Sequence, residues 1–178
     1  PWLTLAEDSG IISAGQNDDI QVTFDAMGII GGDYSANIVI NSNDPDETQV
    51  SVSAFLSVTG APGISLSLDN LDFGGQYVGG VYTNTVIVSN IGTDDLEVSS
   101  ITSDDENFTV DVDSFTVIPG EQYAVLVTYL PTSVDMHEGM LTVSSNDPSG
   151  DVFISMTGTG LTPPDISVDP ESFSSDLY

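Results

Sequence analysis

The sequence predicts an all-β protein built from tandem β-sandwiches. Apolar and polar residues alternate in short runs, for example over residues 64–68, 108–112 and 125–129. Thr, Val, Ile and aromatic residues fill these runs, and Gly, Asn, Asp and Pro separate them. No stretch combines a helical period with capping residues. Many short strands with turn residues between them are typical of a sandwich.

An internal repeat predicts how the chain is divided. The matching pairs are residues 14–24 with 119–129, 38–45 with 141–148, and 62–66 with 164–168. We therefore expect residues 1–60 to be a partial β-sandwich, the C-terminal half of a repeat. Residues 61–160 should form a complete sandwich, and residues 161–178 the first strand of a following repeat or a donor strand. The linkers near 60–63 and 160–164 are short and contain proline, which favours a semi-rigid, end-to-end arrangement.

The alternation also predicts individual strands and a core. In the first segment we expect strands at residues 2–5, 20–24, 34–40 and 49–58. In the last segment Ile166 and Val168 should lie on one face of a strand. Each repeat is expected to end at a Thr-Gly pair, at Thr59-Gly60 and Thr159-Gly160. The predicted core of the complete sandwich consists of Leu66, Phe73, Val86, Val88, Leu96, Phe108, Val110, Val127, Leu141, Val143 and Ile154.

The charge composition excludes several functions. The 178 residues include 28 Asp and Glu, no Lys or Arg and one His, which gives a formal net charge of −28. Such a chain cannot neutralise phosphates, so nucleic-acid binding is not expected. Anionic membrane surfaces should repel it. The fold must depend on apolar burial and backbone hydrogen bonds, because ion pairs have almost no cationic partner.

Cysteine and long apolar runs are both absent. Without cysteine there are no disulfides, zinc-thiolate sites or catalytic thiols. No run approaches the length of a membrane span, so membrane insertion is not expected. If the protein is exported, its signal lies outside this chain.

The complete repeat resembles a known family. Its matching residues are Leu71, Asp72, Phe73, Gly74, Val78, Gly79, residues 86–92, Leu96, Ile101, Phe108, Pro119, Gly120 and residues 145–148. As a set they resemble the abnormal-spindle/hydin (ASH-type) domains and the bacterial choice-of-anchor D repeats. Residues 1–60, with Trp2, residues 32–34 and residues 42–45, resemble the C-terminal half of a BACON-like domain.

This resemblance implies immunoglobulin-like β-sandwiches of seven or eight strands. Modules of this family occur in large secreted bacterial proteins, and eukaryotic relatives occur in cilia and centrosomes. The extreme acidity favours a bacterial or archaeal exterior, so we expect an extracellular or cell-surface location.

Two kinds of acidic motif are candidate sites. The Asn-Asp-Pro motifs at residues 43–45 and 146–148 are typical of turns between strands, because Asn and Asp side chains accept hydrogen bonds from nearby backbone. The densest acidic cluster supplies oxygen ligands that calcium could use, although solvated surface charge is the alternative interpretation. The calcium candidates are Asp104, Asp105, Glu106, Asp111 and Asp113.

No catalytic constellation is evident. His137 is the only histidine, and a lone His lacks the companions of a zinc site or a catalytic triad. No nucleophile-elbow motif occurs. We therefore expect no enzymatic activity and no cofactor, calcium excepted.

The function expected from these observations is structural. The chain should act as a stalk or spacer module, or as a filament subunit that assembles head to tail with copies of itself or with neighbouring repeats. In that case Ile166, Val168 and Phe173 are the expected partner-binding residues, by strand addition to the open first segment. The alternatives are a calcium-aided adhesin or carbohydrate-binding module, and an accessory domain of a secreted hydrolase.

Overall fold

The computed structural model describes residues 1–169, 172 and 174, and these residues form β-strands, turns and loops with no helix. The strands are β1 (Leu3–Leu5), β2 (Val22–Phe24), β3 (Gly32–Asn41), β4 (Gln49–Val58), β5 (Ile64–Leu66), β6 (Asn70–Tyr77), β7 (Tyr82–Asn90), β8 (Leu96–Ser103), β9 (Phe108–Val110), β10 (Phe115–Val117), β11 (Gln122–Tyr129), β12 (Met136–Ser145) and β13 (Val152–Leu161). The predicted all-β class is confirmed.

Strands β5 to β13 form a complete sandwich of two sheets. One sheet has the order β10-β8-β12-β13-β6, and the other has the order β5-β7-β11-β9. All neighbours are antiparallel except β13 and β6, which run parallel. We call this part of the chain, residues 61–161, the complete sandwich.

The core of the complete sandwich follows directly from the alternation. Every second residue is buried over residues 86–90 of β7, 125–129 of β11, 141–143 of β12 and 154–160 of β13. Phe108 stacks on Tyr129 with ring centroids 4.9 Å apart, and Phe73 lies 5.3 Å from Tyr129. Of the predicted core residues, Leu66 and Val110 are partly buried and the others are fully buried. The prediction of the core is therefore confirmed.

Residues 1–60 fold into two two-stranded sheets, β1-β2 and β3-β4. We call this part the half-sandwich. Its predicted strands are all present, although β1 and β2 are shorter than predicted and β3 is longer. The two sheets meet where the ring of Trp2 packs 5.9 Å from Phe24 and 6.3 Å from Tyr34.

The half-sandwich repeats the register of the complete sandwich. Leu3 pairs with Phe24 in the way that Phe108 pairs with Tyr129. In the hairpins, Ile38 pairs with Val52, and its sequence counterpart Leu141 pairs with Ile154. Strands β1, β2, β3 and β4 are thus the counterparts of β9, β11, β12 and β13. Within the described residues the half-sandwich has no counterpart of β5, β6, β7, β8 or β10.

The two Asn-Asp-Pro motifs form turns, as predicted. Asp44 Oδ1 accepts hydrogen bonds from the backbone N–H groups of Asp46 and Glu47. Asp147 Oδ1 accepts one from Ser149, and its Oδ2 accepts another from the N–H of Ile64 at 2.6 Å. The second turn therefore also holds the first residue of β5 in place.

Strand β13 continues one residue beyond the Thr159-Gly160 pair, to Leu161. The extension is stabilised by the parallel neighbour, in which Thr159, Gly160 and Leu161 pair with Gly75, Gln76 and Tyr77.

Candidate functional site

The half-sandwich presents an apolar face along its β3-β4 hairpin. Side chains that alternate along both strands point to this face, namely Tyr34, Ala36, Ile38 and Ile40 on β3 and Leu56, Ala54, Val52 and Val50 opposite them on β4. The other face carries mostly polar side chains, including Asn37, which accepts a hydrogen bond from Ser53. The alternation in sequence therefore gives this hairpin one apolar face, which is suited to burial, and one polar face.

Among the residues that the structure describes, only one end of this apolar face is covered. Trp2 packs on Tyr34, and Ala54 is buried nearby. At the other end Ile40, Val50 and Val52 are each about half exposed; Val52 retains 50% of its accessible surface, whereas its counterpart Ile154 retains 0%. We call this uncovered end, Ile38 and Ile40 with Val50 and Val52, the open face.

The edges beside the open face have no strand partner in the described part of the chain. In the complete sandwich β12 is hydrogen-bonded to β8 on its outer side, and β13 is hydrogen-bonded to β6. The counterparts β3 and β4 bond only to each other within the described part of the chain. Free backbone N–H and C=O groups along such edges are ready to pair with an added strand. An apolar face with two free edges is suited to strand addition.

The junction between the two parts is built around Thr93, in the turn after β7. The carbonyl oxygen of Thr93 accepts a 2.8 Å hydrogen bond from the N–H of Gly31, and its hydroxyl accepts one from the N–H of Ala61. Its own N–H donates to the carbonyl of Ala61 at 2.7 Å. Side chains are excluded here, because a Cβ on Gly60 would collide with the Thr93 carbonyl oxygen. The half-sandwich and linker are therefore held tightly against this turn.

The buried side chain of Asn90 also stabilises this turn by hydrogen bonds. Its Oδ1 accepts hydrogen bonds from the N–H groups of Gly63 and Gly92. Its Nδ2 donates to the carbonyls of Asp94 and Val117 at 2.7 and 2.8 Å. One amide thus connects the linker, the turn and β10, and all its polar atoms are satisfied. Sequence reasoning placed Asn90 in the family motif but did not find this role.

Four of the five calcium candidates accept hydrogen bonds from nearby protein groups in the described structure. Asp104 Oδ1 accepts a 2.6 Å hydrogen bond from the N–H of Met140, and Asp111 Oδ1 accepts one from Leu126. Asp105 Oδ1 accepts from both the backbone and the side-chain amide of Asn107.

These carboxylates do not converge. Asp113 accepts a hydrogen bond from the Ser114 hydroxyl, and Glu106 is exposed. Across residues 1–169, 172 and 174, no three acidic or imidazole groups lie close enough to share a metal ion. Calcium binding stays a prediction.

His137 is a buried hydrogen-bonding residue. Its Nδ1 lies 2.7 Å from the hydroxyl of Tyr129, and its Nε2 lies 3.1 Å from the hydroxyl of Ser133. Burial, and then the negative charge of Asp105, raise the pKa of the Tyr129 hydroxyl. Gly158, the strand partner of His137, leaves the space that the Tyr129 ring fills. This group was not predicted from the sequence, in which the only available signal was a glycine opposite the only histidine.

The tail residues expected to bind a partner are exposed. Ile166 and Val168 retain 89% and 67% of their accessible surface, and residues 162–169 form no strand. The strand predicted at Ile166 and Val168 is therefore not formed in the isolated chain, because no neighbouring strand supplies its hydrogen bonds. Phe173 lies outside the described residues.

Comparisons with known proteins support the fold. An ASH/PapD-like domain of human CEP192 is 14% identical, with a TM-score of 0.51, and the match covers 57% of this chain and 87% of that chain. A Porphyromonas gingivalis W83 protein of unknown function is 14% identical, with a TM-score of 0.51 and coverage of 89% and 80%. A family 123 glycoside hydrolase from Clostridium perfringens is 7% identical, with a TM-score of 0.50 and coverage of 58% and 28%.

The P. gingivalis match extends beyond the complete sandwich, since it covers most of this chain. No curated protein matches the sequence significantly. In the described part of the chain no helix could cross a membrane. The family model described as HYDIN/CFA65/VesB-like, Ig-like domain matches residues 62–159. This range is more than half of the sequence, and the chain belongs to this family of Ig-like domains.

Proposed function

We propose that the chain is a non-catalytic structural module that holds neighbouring Ig-like units end to end in an extracellular assembly. The observation that carries this proposal is the Thr93 junction. Three backbone groups, from Gly31 and Ala61, hydrogen-bond to this one residue. In a flexible linker these backbone groups would hydrogen-bond to water. In a rigid spacer they are held by hydrogen bonds to the neighbouring unit.

The surface chemistry is consistent with this role. With 28 acidic residues and no Lys or Arg, the surface favours solvation over adhesion to other acidic surfaces. Such a surface suits a saline exterior, where salt screens the self-repulsion. The remaining polar groups of the interior are hydrogen-bonded, with no buried side-chain N or O atom unsatisfied in the described residues.

The test is whether the two parts tumble as one body. Backbone 15N relaxation of the wild-type protein should give one rotational correlation time for the half-sandwich and the complete sandwich. Gly60→Val should separate the two times, because its side chain displaces the Thr93 carbonyl. Gly10→Val is the matched control, since the nearest atom to an added Cβ there is 3.9 Å away. Independent tumbling of the wild-type parts would refute the proposal.

A second candidate is a non-catalytic accessory domain of a secreted hydrolase. It is supported by the glycoside hydrolase of C. perfringens, in which the fold shared with this chain covers only 28% of the enzyme. The sequence of the whole polypeptide tests this candidate. A hydrolase domain in the same polypeptide would support it, and repeats alone would favour the spacer.

A further inference from the structure

The segments before and after the complete sandwich correspond residue by residue. The hairpins that lead into them share one register, which aligns residues 60–62 with residues 162–164 when the count continues without a gap. The sequence match between residues 62–66 and 164–168 has the same offset. We call residues 60–62 the first connector and residues 162–164 the second connector.

The first connector depends on positions that carry no side chain. A Cβ on Gly60 would collide with the backbone carbonyl of Thr93, and a Cβ on Gly31 would lie 2.8 Å from the backbone nitrogen of Gly60. The obstructing atoms belong to the backbone, so they cannot move aside as the end of a flexible side chain can. Ala61 contributes its N–H group, which donates to the Thr93 hydroxyl. The Thr93 junction therefore requires two glycines and one backbone donor.

The second connector and the loop beside it lack all three features. The counterparts of the two glycines are Thr162 and Val134, and both carry a Cβ. Pro163 takes the place of Ala61 and has no N–H to donate. Because the obstruction comes from backbone atoms, a following unit of the same fold could not approach Thr162 as closely as the turn of Thr93 approaches the first connector.

The second connector has the composition of a short spacer. Its three residues are exposed, and two of them are consecutive prolines. Prolines hold a segment extended, at about 3.1 Å per residue, without internal hydrogen bonds. The proline pair is therefore stiff, and changes of direction are left to the residues on either side of it.

We propose that the second connector is an undocked pivot, so that the chain has a locked joint before the complete sandwich and a mobile joint after it. A unit that follows the proline pair stands off the complete sandwich and reorients relative to it. An assembly of such modules bends at one kind of joint and stays straight at the other. This inference rests on the proposed spacer role and specifies where the spacer is stiff and where it bends.

Transplanting the residues of the second connector into the first junction tests the proposal. The triple variant Gly31→Val/Gly60→Thr/Ala61→Pro should give two rotational correlation times in 15N relaxation, the shorter one for the half-sandwich. The amide of residue 31 should exchange with solvent at the rate of an unprotected amide, because its hydrogen bond to Thr93 is lost.

Ser57→Thr is the matched control. Residue 57 lies near the first connector on the same hairpin, is exposed, and has a threonine as its counterpart in β13. The substitution thus also imports a residue from the second hairpin, but at a position that does not contact the Thr93 turn. This variant should keep a single correlation time.

Two measurements separate a released joint from an unfolded half-sandwich. Trp2 is the only tryptophan and packs on Phe24 and Tyr34, so its fluorescence should be unchanged in the triple variant. If Gly31→Val disturbs the hairpin, the double variant Gly60→Thr/Ala61→Pro leaves the strands intact and should release the same joint.

Each outcome decides the inference. A folded transplant that still tumbles as one body with the complete sandwich would overturn it and leave the spacer role intact. A Ser57→Thr variant that also released the half-sandwich would overturn it, because the joint would then be sensitive to substitutions that do not touch Thr93. Independent tumbling of the wild-type parts would instead refute the spacer role, and the contrast between the two joints with it.

Discussion

The half-sandwich and the complete sandwich use the same strand register but bury very different amounts of surface. Val22, in β2, retains 36% of its accessible surface, whereas its sequence counterpart Val127, in β11, retains 0%. The strand pairs themselves are equivalent, as in Ile38 with Val52 and Leu141 with Ile154. Register is therefore a local property of each hairpin and its turn, and burial is supplied by neighbouring strands.

This difference has an energetic consequence. A two-stranded sheet is marginally stable by itself, and three or more strands or a packing partner are needed for independent stability. The complete sandwich has nine strands and one continuous core. We expect the complete sandwich to dominate the stability of the chain and the half-sandwich to depend on what covers it.

The prediction with the largest expected effect compares substitutions at two equivalent residues. Ile154→Ala should lower the free energy of unfolding by about 2–5 kcal/mol, because it opens a cavity in a close-packed core. Val52→Ala should cost roughly 1 kcal/mol or less, because half of that side chain is already in water. Denaturant unfolding measures the free energy of unfolding of both variants. Equal decreases in the two variants would contradict the difference in packing.

A second test compares two asparagines. Asn90→Ala should lower the free energy of unfolding by about 2–3 kcal/mol, because buried hydrogen-bonding groups lose their partner. Asn37→Ala, on the exposed face of β3, should change it by less than about 0.5 kcal/mol. Thermal unfolding followed by circular dichroism measures both effects. If Asn90→Ala lowered the stability as little as Asn37→Ala, the turn after β7 would not depend on the Asn90 amide.

Salt should stabilise both parts of the chain. Folding crowds like charges that have almost no cation to pair with, so screening favours the folded state. Raising NaCl from zero to about 0.5 M should raise the melting temperature by roughly 2–4 °C, which corresponds to ~1 kcal/mol. A melting temperature that falls over this range would contradict the account. Mild acidification should not destabilise the fold either, because there are almost no ion pairs to break.

The smallest expected effect concerns the turn at Asp147. Hydrogen bonds, first from the Ser149 hydroxyl and then from the N–H groups of Ile64 and Ser149, hold the pKa of this carboxyl below its ordinary value. Its stabilising contribution is therefore fully present above the unfolded pKa of about 3.9, and it is lost as pH falls through the lower, folded value.

Asp147→Asn should lower the melting temperature at neutral pH by roughly 2 °C or less, since the turn is partly exposed. The difference from the wild type should shrink in strong acid. Asp151→Asn removes a neighbouring negative charge outside this turn and serves as the control. If the difference in melting temperature stayed constant down to strong acid, the Asp147 carboxylate would not be the source of the stabilisation.

The sequence was sufficient to predict what depends on local pattern. A period of two identifies strands such as β11 and β12 and the face that each one buries, so the predicted core matched the structure. The Thr93 junction could not be predicted, because it depends on backbone groups of Gly31 and Ala61, far apart in the chain, approaching one turn. The pairing of His137 with Tyr129 was missed for the same reason, since it forms between two different sheets.

The parallel pairing of β13 with β6 has a mechanical consequence. A pull on the complete sandwich enters at β5, next to Asn90, and leaves at Leu161, at the far end of β7. The load therefore runs along the strands and strains the hydrogen bonds between β13 and β6 in shear. Bonds loaded in shear must yield together, whereas bonds in a peeled hairpin yield one after another. A unit with this geometry resists tension that is applied along its strands.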